Sequence, residues 1–179
     1  MRTFPFPDKK ESKEELKRDI LYRKIPEGDR EKICDMAWQR GMRAARKILR
    51  QYPDQRIQDI AEKEGLKVCH VVNENVNTAF RTFGEYHVQG NYMILYQGSI
   101  EKWAKANSLT MSVAEEMVMA HEFYHFLECT KIGETSEMYH VPTLRLGKAV
   151  LLKSGVRALS EIGAHGFART YFCSIYEER

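Results

Sequence analysis

The feature that most constrains the fold of this chain is an apolar segment, residues 112–128, that carries two histidines four positions apart. Residues 113–128 contain good helix formers and no proline or glycine, which predicts a helix. Ser112 and Glu115 have the spacing of a capping box, so the helix is predicted to begin at Ser112. Such an apolar helix must be largely buried, and a buried helix cannot leave imidazoles and carboxylates without polar partners.

The two histidines of this helix, His121 and His125, leave the same face one turn apart. Both imidazoles can therefore reach one tetrahedral metal ion. Glu122 lies between them in the sequence His-Glu-Phe-Tyr-His, and a carboxylate there can take a proton from water that the ion activates. The pattern predicts one zinc ion (Zn²⁺) with His121 and His125 as ligands and Glu122 as catalytic base. The alternative is a pair of core histidines that other polar groups satisfy.

A third protein ligand must come from elsewhere, because a catalytic zinc ion usually takes three. Glu161 is the best candidate, since Ser160 could begin a helix that presents Glu161 in its first turn. His165, one turn later, could then orient a histidine of the first helix. The competing ligands are Glu128, Glu134, Glu137 and His140. Glu128 would need an awkward reach from the metal helix, and the other three fall in a segment that we interpret as a loop.

The first third of the chain is predicted to be helical. Residues 8–24 are polar with few apolar anchors, which suggests a weakly docked helix. Apolar residues then recur at helical spacing from Asp29 to about Tyr52. A third helix is predicted over residues 57–64, closed by Gly65 as a left-handed cap.

Shorter segments follow, in which branched and aromatic residues predict strands. A tight turn at residues 89–91 separates the last two of them. Residues 73–77 are interpreted as a loop. The predicted strands are Leu66–Val72, Thr78–Phe83, Tyr86–Val88 and Tyr92–Tyr96. The fold class is therefore α+β: a helical N-terminal region, a small, mostly antiparallel sheet packed on the metal-binding helix, and a C-terminal helix that bears the third ligand.

Two compositional features favour a cytoplasmic protein with no membrane partner. No stretch of about eighteen apolar residues occurs, and residues 1–7 lack the apolar run of a secretory signal.

The cysteines are too widely spread for a metal ribbon or a redox pair, so we expect reduced, buried thiols. They are Cys34, Cys69, Cys129 and Cys173.

A row of basic residues along the second predicted helix raises the hypothesis of a nucleic-acid binder. The row consists of Arg40, Arg43, Arg46, Lys47 and Arg50. Acidic residues are interspersed with basic ones over residues 1–60, however, as on an ordinary solvated helix face. Nucleic-acid binding is therefore not expected.

Three segments together match the pattern of a known peptidase family. They are residues 57–68, which open with Ile-Gln-Asp-Ile-Ala-Glu, residues 120–125, and residues 161–168, which are similar to the family pattern Glu-x-x-Ala-Asn-x-Phe-Ala. On these segments the chain resembles the ImmA/IrrE family of metallopeptidases, bacterial and phage-associated zinc proteins that cleave or regulate transcriptional repressors. The resemblance covers about residues 55–172. It implies a zincin-like metallopeptidase domain over residues 55–179, with residues 1–54 as a helical extension packed on it.

The resemblance also implies roles for residues of the last segment. Glu161 becomes the third zinc ligand, and His165 stands where the family usually has Asn or Asp. The chain departs from the pattern at Gly163, where a second Glu is common, and it lacks the Leu-Leu-x-Pro that usually follows Phe-Ala.

The expected activity is hydrolysis of a peptide bond in a protein or peptide substrate, and the resemblance implies a transcriptional regulator. Glu122 would move a proton from water to the leaving amine. The candidates for stabilising the oxyanion are Tyr139, His140 and His165. The strand Tyr92–Tyr96 could add a substrate strand or simply form core. The alternative function is that of a non-catalytic, zinc-containing regulatory or interaction protein of the same fold.

Overall fold

A computed structural model of the chain describes residues 7–77, 80–147 and 149–176, and its fold is α+β, as predicted. The helices are α1 (Lys13–Arg18), α2 (Glu27–Gln51), α3 (Ile57–Lys63), α4 (Gln97–Ala106), α5 (Met111–Leu127) and α6 (Ala158–Tyr176). The strands are β1 (Lys67–Val71), β2 (Asn75–Asn77), β3 (Phe80–Thr82), β4 (Gly84–His87), β5 (Tyr92–Tyr96), β6 (His140–Leu146) and β7 (Ala149–Gly155).

The predicted helices of the N-terminal third are confirmed, with one change of length. Helices α2 and α3 lie where the apolar spacing places them, and Gly65 after α3 has a φ of 80°. Helix α1 is shorter than predicted and is followed by a 3-10 turn, Tyr22–Lys24. It is nevertheless anchored, because Leu16 and Ile25 are buried. Among the described helices, none is long and apolar enough to cross a membrane. The predictions for residues 1–6 and for Thr78 and Ala79 lie outside the described residues.

The central sheet has the strand order β1-β5-β4. β5 pairs with β1 in parallel and with β4 in antiparallel register. Met93 and Leu95 of β5 are fully buried, so this strand is core. The prediction that β5 could also offer an edge to a substrate is wrong, because both of its sides are paired. The edge strands of this sheet are β1 and β4.

Two separate hairpins complete the strands. β2 pairs with β3, so the interpretation of residues 73–77 as a loop is wrong for Asn75–Asn77. β6 pairs with β7 in the connection from α5 to α6, where a loop was predicted. The outer half of that hairpin exposes large apolar side chains: Leu144, Leu146, Val150, Leu151 and Leu152.

The prediction of buried cysteines holds only in part, since Cys34 is buried but Cys69 and Cys129 are exposed.

Helices α2 and α6 cross at a contact that only glycine permits. A Cβ atom built on Gly41 would lie 1.9 Å from the backbone oxygen of Gly163, and one built on Gly166 would lie 2.6 Å from that of Trp38. The two helices therefore touch backbone to backbone. At Gly163, the position at which the chain departs from the family pattern, a Cβ atom would lie 2.6 Å from the hydroxyl oxygen of Tyr124 on α5, so this glycine makes room for the Tyr124 side chain.

We expect Gly41→Ala to destabilise the fold by about 3 kcal/mol, because overpacking of a well-packed contact costs about 1–3 kcal/mol and here the obstacle is backbone. Alanine is otherwise favoured over glycine within a helix by about 1 kcal/mol. Gly28→Ala, also in α2, is the matched control, since nothing lies within 4 Å of its Cβ position. The free energy of unfolding in urea measures both variants. Equal stability of the two would contradict this account of the α2–α6 contact.

The N-terminal segment also helps to set the position of α6. The Asp19 carboxylate accepts a hydrogen bond from the amide of Ala158 at 2.9 Å and another from the amide of Leu21 at 2.8 Å. The prediction that Ser160 begins this helix is wrong by two residues, because the first turn is capped by Asp19 from a distant part of the chain. Residues 7–25 thus stabilise the start of the helix that carries Glu161.

Candidate metal centre

Helix α5 presents the His-Glu-Phe-Tyr-His segment from the middle of the core. The helix begins at Met111, and Thr110 is its N-cap, with its hydroxyl accepting from the amide of Val113. The capping box predicted at Ser112 and Glu115 is therefore wrong. Glu115 is instead used by His70, whose Nε2 lies 2.6 Å from its carboxylate. The cap is displaced by two residues, and the helical face that carries the two histidines is unchanged.

Three predicted ligands converge on one point between α5 and α6. The Nε2 atom of His121 lies 3.3 Å from Oε2 of Glu161, and Nε2 of His125 lies 3.6 Å from Oε1 of Glu161. One ligand atom from each residue lies within 4.8 Å of the other two. Two atoms bound to one tetrahedral zinc ion at about 2.0–2.1 Å are about 3.3–3.4 Å apart. The two distances between imidazole and carboxylate are therefore close to those expected around a single small metal ion.

Glu128 orients the imidazole of His125 by contacting the ring nitrogen that does not face Glu161. Its Oε2 atom lies 3.1 Å from Nδ1 of His125, which leaves Nε2 directed towards Glu161. Its other oxygen accepts from the amide of Thr135 at 2.7 Å and from the hydroxyl of Ser160 at 3.1 Å. From the sequence, Glu128 is a competing ligand. In the structure its side chain is buried, and both of its carboxylate oxygens already have polar partners. A carboxylate on the second nitrogen of a histidine is the usual support of a metal ligand.

His165 lies beside His121, with their ring centroids 5.2 Å apart. On its other side, Nδ1 of His165 lies 3.2 Å from the hydroxyl of Ser12, which is fully buried. Burial, together with the nearby charge of His121, lowers the pKa of His165 to about 3. His165 is therefore a neutral neighbour of the ligands at physiological pH. Ser12 was not identified from the sequence, since a lone serine in a polar segment carries no signal.

Glu122 lies on the side of the site that faces β4. The residue is 8% exposed, and the backbone amide of Tyr86 donates to the carboxylate. Burial raises the pKa of Glu122, and the charges of His121 and His125 offset part of that rise. The carboxylate is therefore a stronger base than an exposed glutamate, as a proton carrier near neutral pH requires.

Gly84 permits the close approach of β4 to this carboxylate. A Cβ atom at Gly84 would lie 2.9 Å from Cγ of Glu122 and 2.9 Å from Cγ1 of Val118. Both of these side chains are buried, so neither could move aside easily. The glycine thus brings the edge of the sheet directly over the face of α5 that carries Glu122.

The charges of the ligands are strongly coupled. Burial would raise the pKa of Glu161, but the hydrogen bond to His121 and the charges of His121 and His125 hold it at about 2. Burial would lower the pKa of His125, but the hydrogen bond to Glu128 and the charges of Glu161 and Glu122 raise it to about 9. The protein thus concentrates negative charge around the two imidazoles, and a bound cation would interact favourably with that charge.

The cluster opens into a cavity of about 720 Å³. One wall consists of the polar side chains of α5 and α6. Another part of the lining comes from β3, β4, the residue between them, Phe83, and α4, with Tyr86 and Trp103 among the lining residues. Glu161 is 49% exposed, so the ligand cluster faces this open space. A cleft of this size can accept an extended peptide or a small molecule.

The remaining predicted site residues lie elsewhere. The hydroxyl of Tyr139 donates to Asp29 at 2.6 Å, and Nε2 of His140 lies 2.8 Å from Glu137 at the base of the β6–β7 hairpin. Glu134 accepts from the hydroxyl of Ser136. None of these side chains is among the described residues that line the cavity. His165 does line it, and so of the three oxyanion candidates only this one is adjacent to the cluster.

At least one residue of the basic row of α2, Arg40, has a structural role. The guanidinium of Arg40 donates to the backbone oxygens of Ile132 and Gly133, where the π-helical turn Glu128–Ile132 ends after α5. Arg40 therefore stabilises the chain just beyond α5.

Comparisons of the chain with protein-family models, with curated proteins and with solved structures found no match. The ImmA/IrrE resemblance therefore stays a prediction from the three motifs, and the geometry of the site carries the functional interpretation.

Proposed function

We propose that this protein is a zinc-dependent metallopeptidase. The observation that carries the proposal is the convergence of His121, His125 and Glu161 in an open cleft, with the buried carboxylate of Glu122 beside them. Two imidazoles and one carboxylate, each from a fixed helix, form a donor set that is typical of catalytic zinc and that leaves a fourth position for water. Glu128 supports one imidazole in the way that metal-binding histidines are commonly supported.

Zinc bound to these three residues would supply Lewis acidity and lower the pKa of a water molecule. The protein's own residues would handle the proton. Glu122 takes a proton from the water whose oxygen attacks the carbonyl carbon of the peptide bond. When the C–N bond breaks, the same carboxylate gives that proton to the departing amine, and the products are a carboxylate and an amine. The raised pKa of Glu122 suits both transfers.

The edge of β4 is suited to hold the substrate backbone. β4 pairs with β5 on one side only, and its residues line the cavity next to Glu122. An extended peptide could pair with this edge through backbone hydrogen bonds. The substrate strand would then run over the catalytic face of α5. We propose a regulatory protein as the physiological substrate on the basis of the motif resemblance.

The test is to measure zinc in the purified protein and then to follow its action on a mixture of peptides by mass spectrometry. We expect about one zinc ion per chain and cleavage that stops when a chelator removes the metal. Addition of zinc should restore cleavage. Tightly bound zinc without cleavage of any peptide would point to the non-catalytic regulatory alternative, and the absence of zinc binding would overturn the proposal.

A further inference from the structure

The hairpin of β6 and β7 carries most of the exposed large apolar residues that the structure describes. Nine such residues are exposed among the described residues, and five of them lie in this hairpin. The most exposed of the five are Leu146, at 72%, and Leu152, at 58%. Single exposed apolar residues are common on protein surfaces, whereas a contiguous group marks a surface that contacts a partner. We name Leu144, Leu146, Val150, Leu151 and Leu152 the apolar tip.

The apolar tip is exposed on both faces of the hairpin. Leu144 lies opposite Leu152, and the next residue of β6 lies opposite Val150. Successive residues of a strand point to opposite faces, and opposed residues of an antiparallel pair share a face. Leu144 and Leu152 are therefore on one face and Val150 is on the other, with Leu151 as the extra residue of a β-bulge between them. Since all of these side chains are exposed, neither face of the tip is covered by the rest of the described chain.

The base of the hairpin, in contrast, is anchored to the fold. Val141 of β6 and Val156, which follows β7, are buried in the cluster around α2. The amide of Val156 donates to the backbone oxygen of Ser136 at 3.1 Å. The ammonium of Lys24 donates to the backbone oxygen of Thr143 at 3.3 Å. The hairpin therefore projects its apolar tip outwards from a base that is part of the core.

The sequence around the apolar tip is basic. Residues 138–160 contain no Asp or Glu, although 25 of the 179 residues of the chain are acidic. The same stretch contains four basic residues: Arg145, Lys148, Lys153 and Arg157. Lys153 is exposed and forms no ion pair with any described residue. A surface that is complementary to this hairpin therefore has to be both apolar and negatively charged.

These features distinguish between three kinds of partner. A second copy of the hairpin would bring the same positive charges to the contact, and charges of the same sign repel. A folded protein that packs on one face of the hairpin leaves the apolar side chains of the other face in water. A lipid layer surrounds an inserted element on all sides, and its anionic headgroups attract nearby Lys and Arg residues. We infer that the β6–β7 hairpin inserts its apolar tip into the surface of a membrane that contains anionic phospholipids.

This contact is peripheral, and it does not depend on the proposed peptidase activity. No residue of the hairpin is among the described residues that line the metal cavity. Membrane binding can therefore be measured without zinc and without a peptide substrate. A hairpin that enters only the boundary between headgroups and acyl chains needs neither a spanning segment nor a secretory signal. The absence of those two features from the sequence led us to expect no membrane partner.

The experiment measures co-sedimentation of the full chain with two kinds of vesicle: phosphatidylcholine alone, and phosphatidylcholine with phosphatidylglycerol in equal amounts. We expect binding to the anionic vesicles to be at least about tenfold tighter and to weaken with added salt, which screens the basic residues. Arg145→Gln, Lys148→Gln and Lys153→Gln together should weaken this binding about 100-fold. The matched control should bind like the parent, and it replaces by Gln three exposed basic residues of α2: Arg43, Arg46 and Lys47.

Insertion of the apolar tip is tested separately from attraction by charge. Leu146→Ser combined with Leu152→Ser should weaken binding to anionic vesicles by about tenfold or more. Val72→Ser combined with Val88→Ser is the matched control, because these side chains are similarly exposed outside the hairpin, and it should bind like the parent. Leu146→Trp should add fluorescence that lipids with brominated acyl chains quench. Val72→Trp should add fluorescence that the same lipids leave unquenched.

Several outcomes would overturn the inference while the proposed function stands. One is the absence of binding to anionic vesicles by a parent protein that cleaves peptides. Another is an equal loss of binding in the α2 variant and the hairpin variant, because the charge of α2 would then account for the attraction. A parent that binds no vesicles but forms a dimer, which Leu146→Ser and Leu152→Ser dissociate, would assign the apolar tip to a contact between two copies.

Discussion

Replacement of Glu122 by Gln is expected to lower the rate of peptide cleavage by about 10²- to 10⁴-fold while zinc stays bound, which is the usual contribution of a general acid–base group. Glutamine has nearly the same shape, so the packing against Gly84 and Val118 is retained. Its amide can neither take a proton from water at neutral pH nor give one to the departing amine. The chemical step should therefore fail without loss of the ligands. Turnover of a peptide and zinc content are the two measurements.

The matched control is Glu115→Gln, a change of the same chemistry two turns earlier on α5, where the carboxylate contacts His70 outside the cavity. It should cleave like the parent. The fold of the Glu122→Gln variant should be at least as stable as that of the parent, because the buried carboxylate of Glu122 is penalised by its loss of water. If the variant cleaved peptides at the parental rate, Glu122 would not carry the proton.

The elements that could be predicted are those whose signal lies within a few consecutive residues. Helix α5 follows from its composition, and α2 from the spacing of its apolar residues up to the proline at position 53. The grouping of Glu161 with the two histidines could also be predicted. Few residue types bind zinc, and the motif resemblance selected Glu161 among the candidate residues of those types. The four-residue spacing of His121 and His125 predicted that the two imidazoles lie on the same face of the helix.

The features that could not be predicted depend on contacts between distant parts of the chain. Glu128 was placed among competing ligands because its partners, Thr135 and Ser160, are brought to it only by the path of the chain after α5. The start of α6 was misplaced because Asp19, 139 residues away, provides the cap. Local capping rules cannot include such a donor–acceptor pair.

The register and order of the strands also could not be predicted from the sequence. The pattern Tyr-Met-Ile-Leu-Tyr of β5 is compatible with both core and edge, and only its pairing with β1 and β4 decides between them. The contribution of β4 to the site depends on Gly84, whose role is visible only once the strand lies over α5. A single glycine at the start of a short strand does not indicate such a contact in the sequence alone.

The largest effect on the metal is expected for Glu161→Ala. This change removes one of three donors and also the negative charge that faces both imidazoles at 3.3 and 3.6 Å. Loss of an outer carboxylate that only orients a ligand typically weakens metal binding about 10- to 100-fold. Loss of a direct ligand should exceed this, so we expect zinc affinity to fall by more than about 100-fold. Competition with a chromophoric chelator at constant pH measures the affinity.

Two further glutamates give a graded comparison within the same chain. Glu128→Gln should lower zinc affinity about 10- to 100-fold, because the carboxylate on Nδ1 of His125 is replaced by a neutral amide. Glu137→Ala should bind zinc like the parent, since this exposed side chain pairs with His140 at the base of the β6–β7 hairpin and does not line the cavity. The expected order of affinity is therefore parent and Glu137→Ala, then Glu128→Gln, then Glu161→Ala. If Glu161→Ala bound zinc as tightly as the parent, Glu161 would not be a ligand, and the third donor would have to be another residue near His121 and His125.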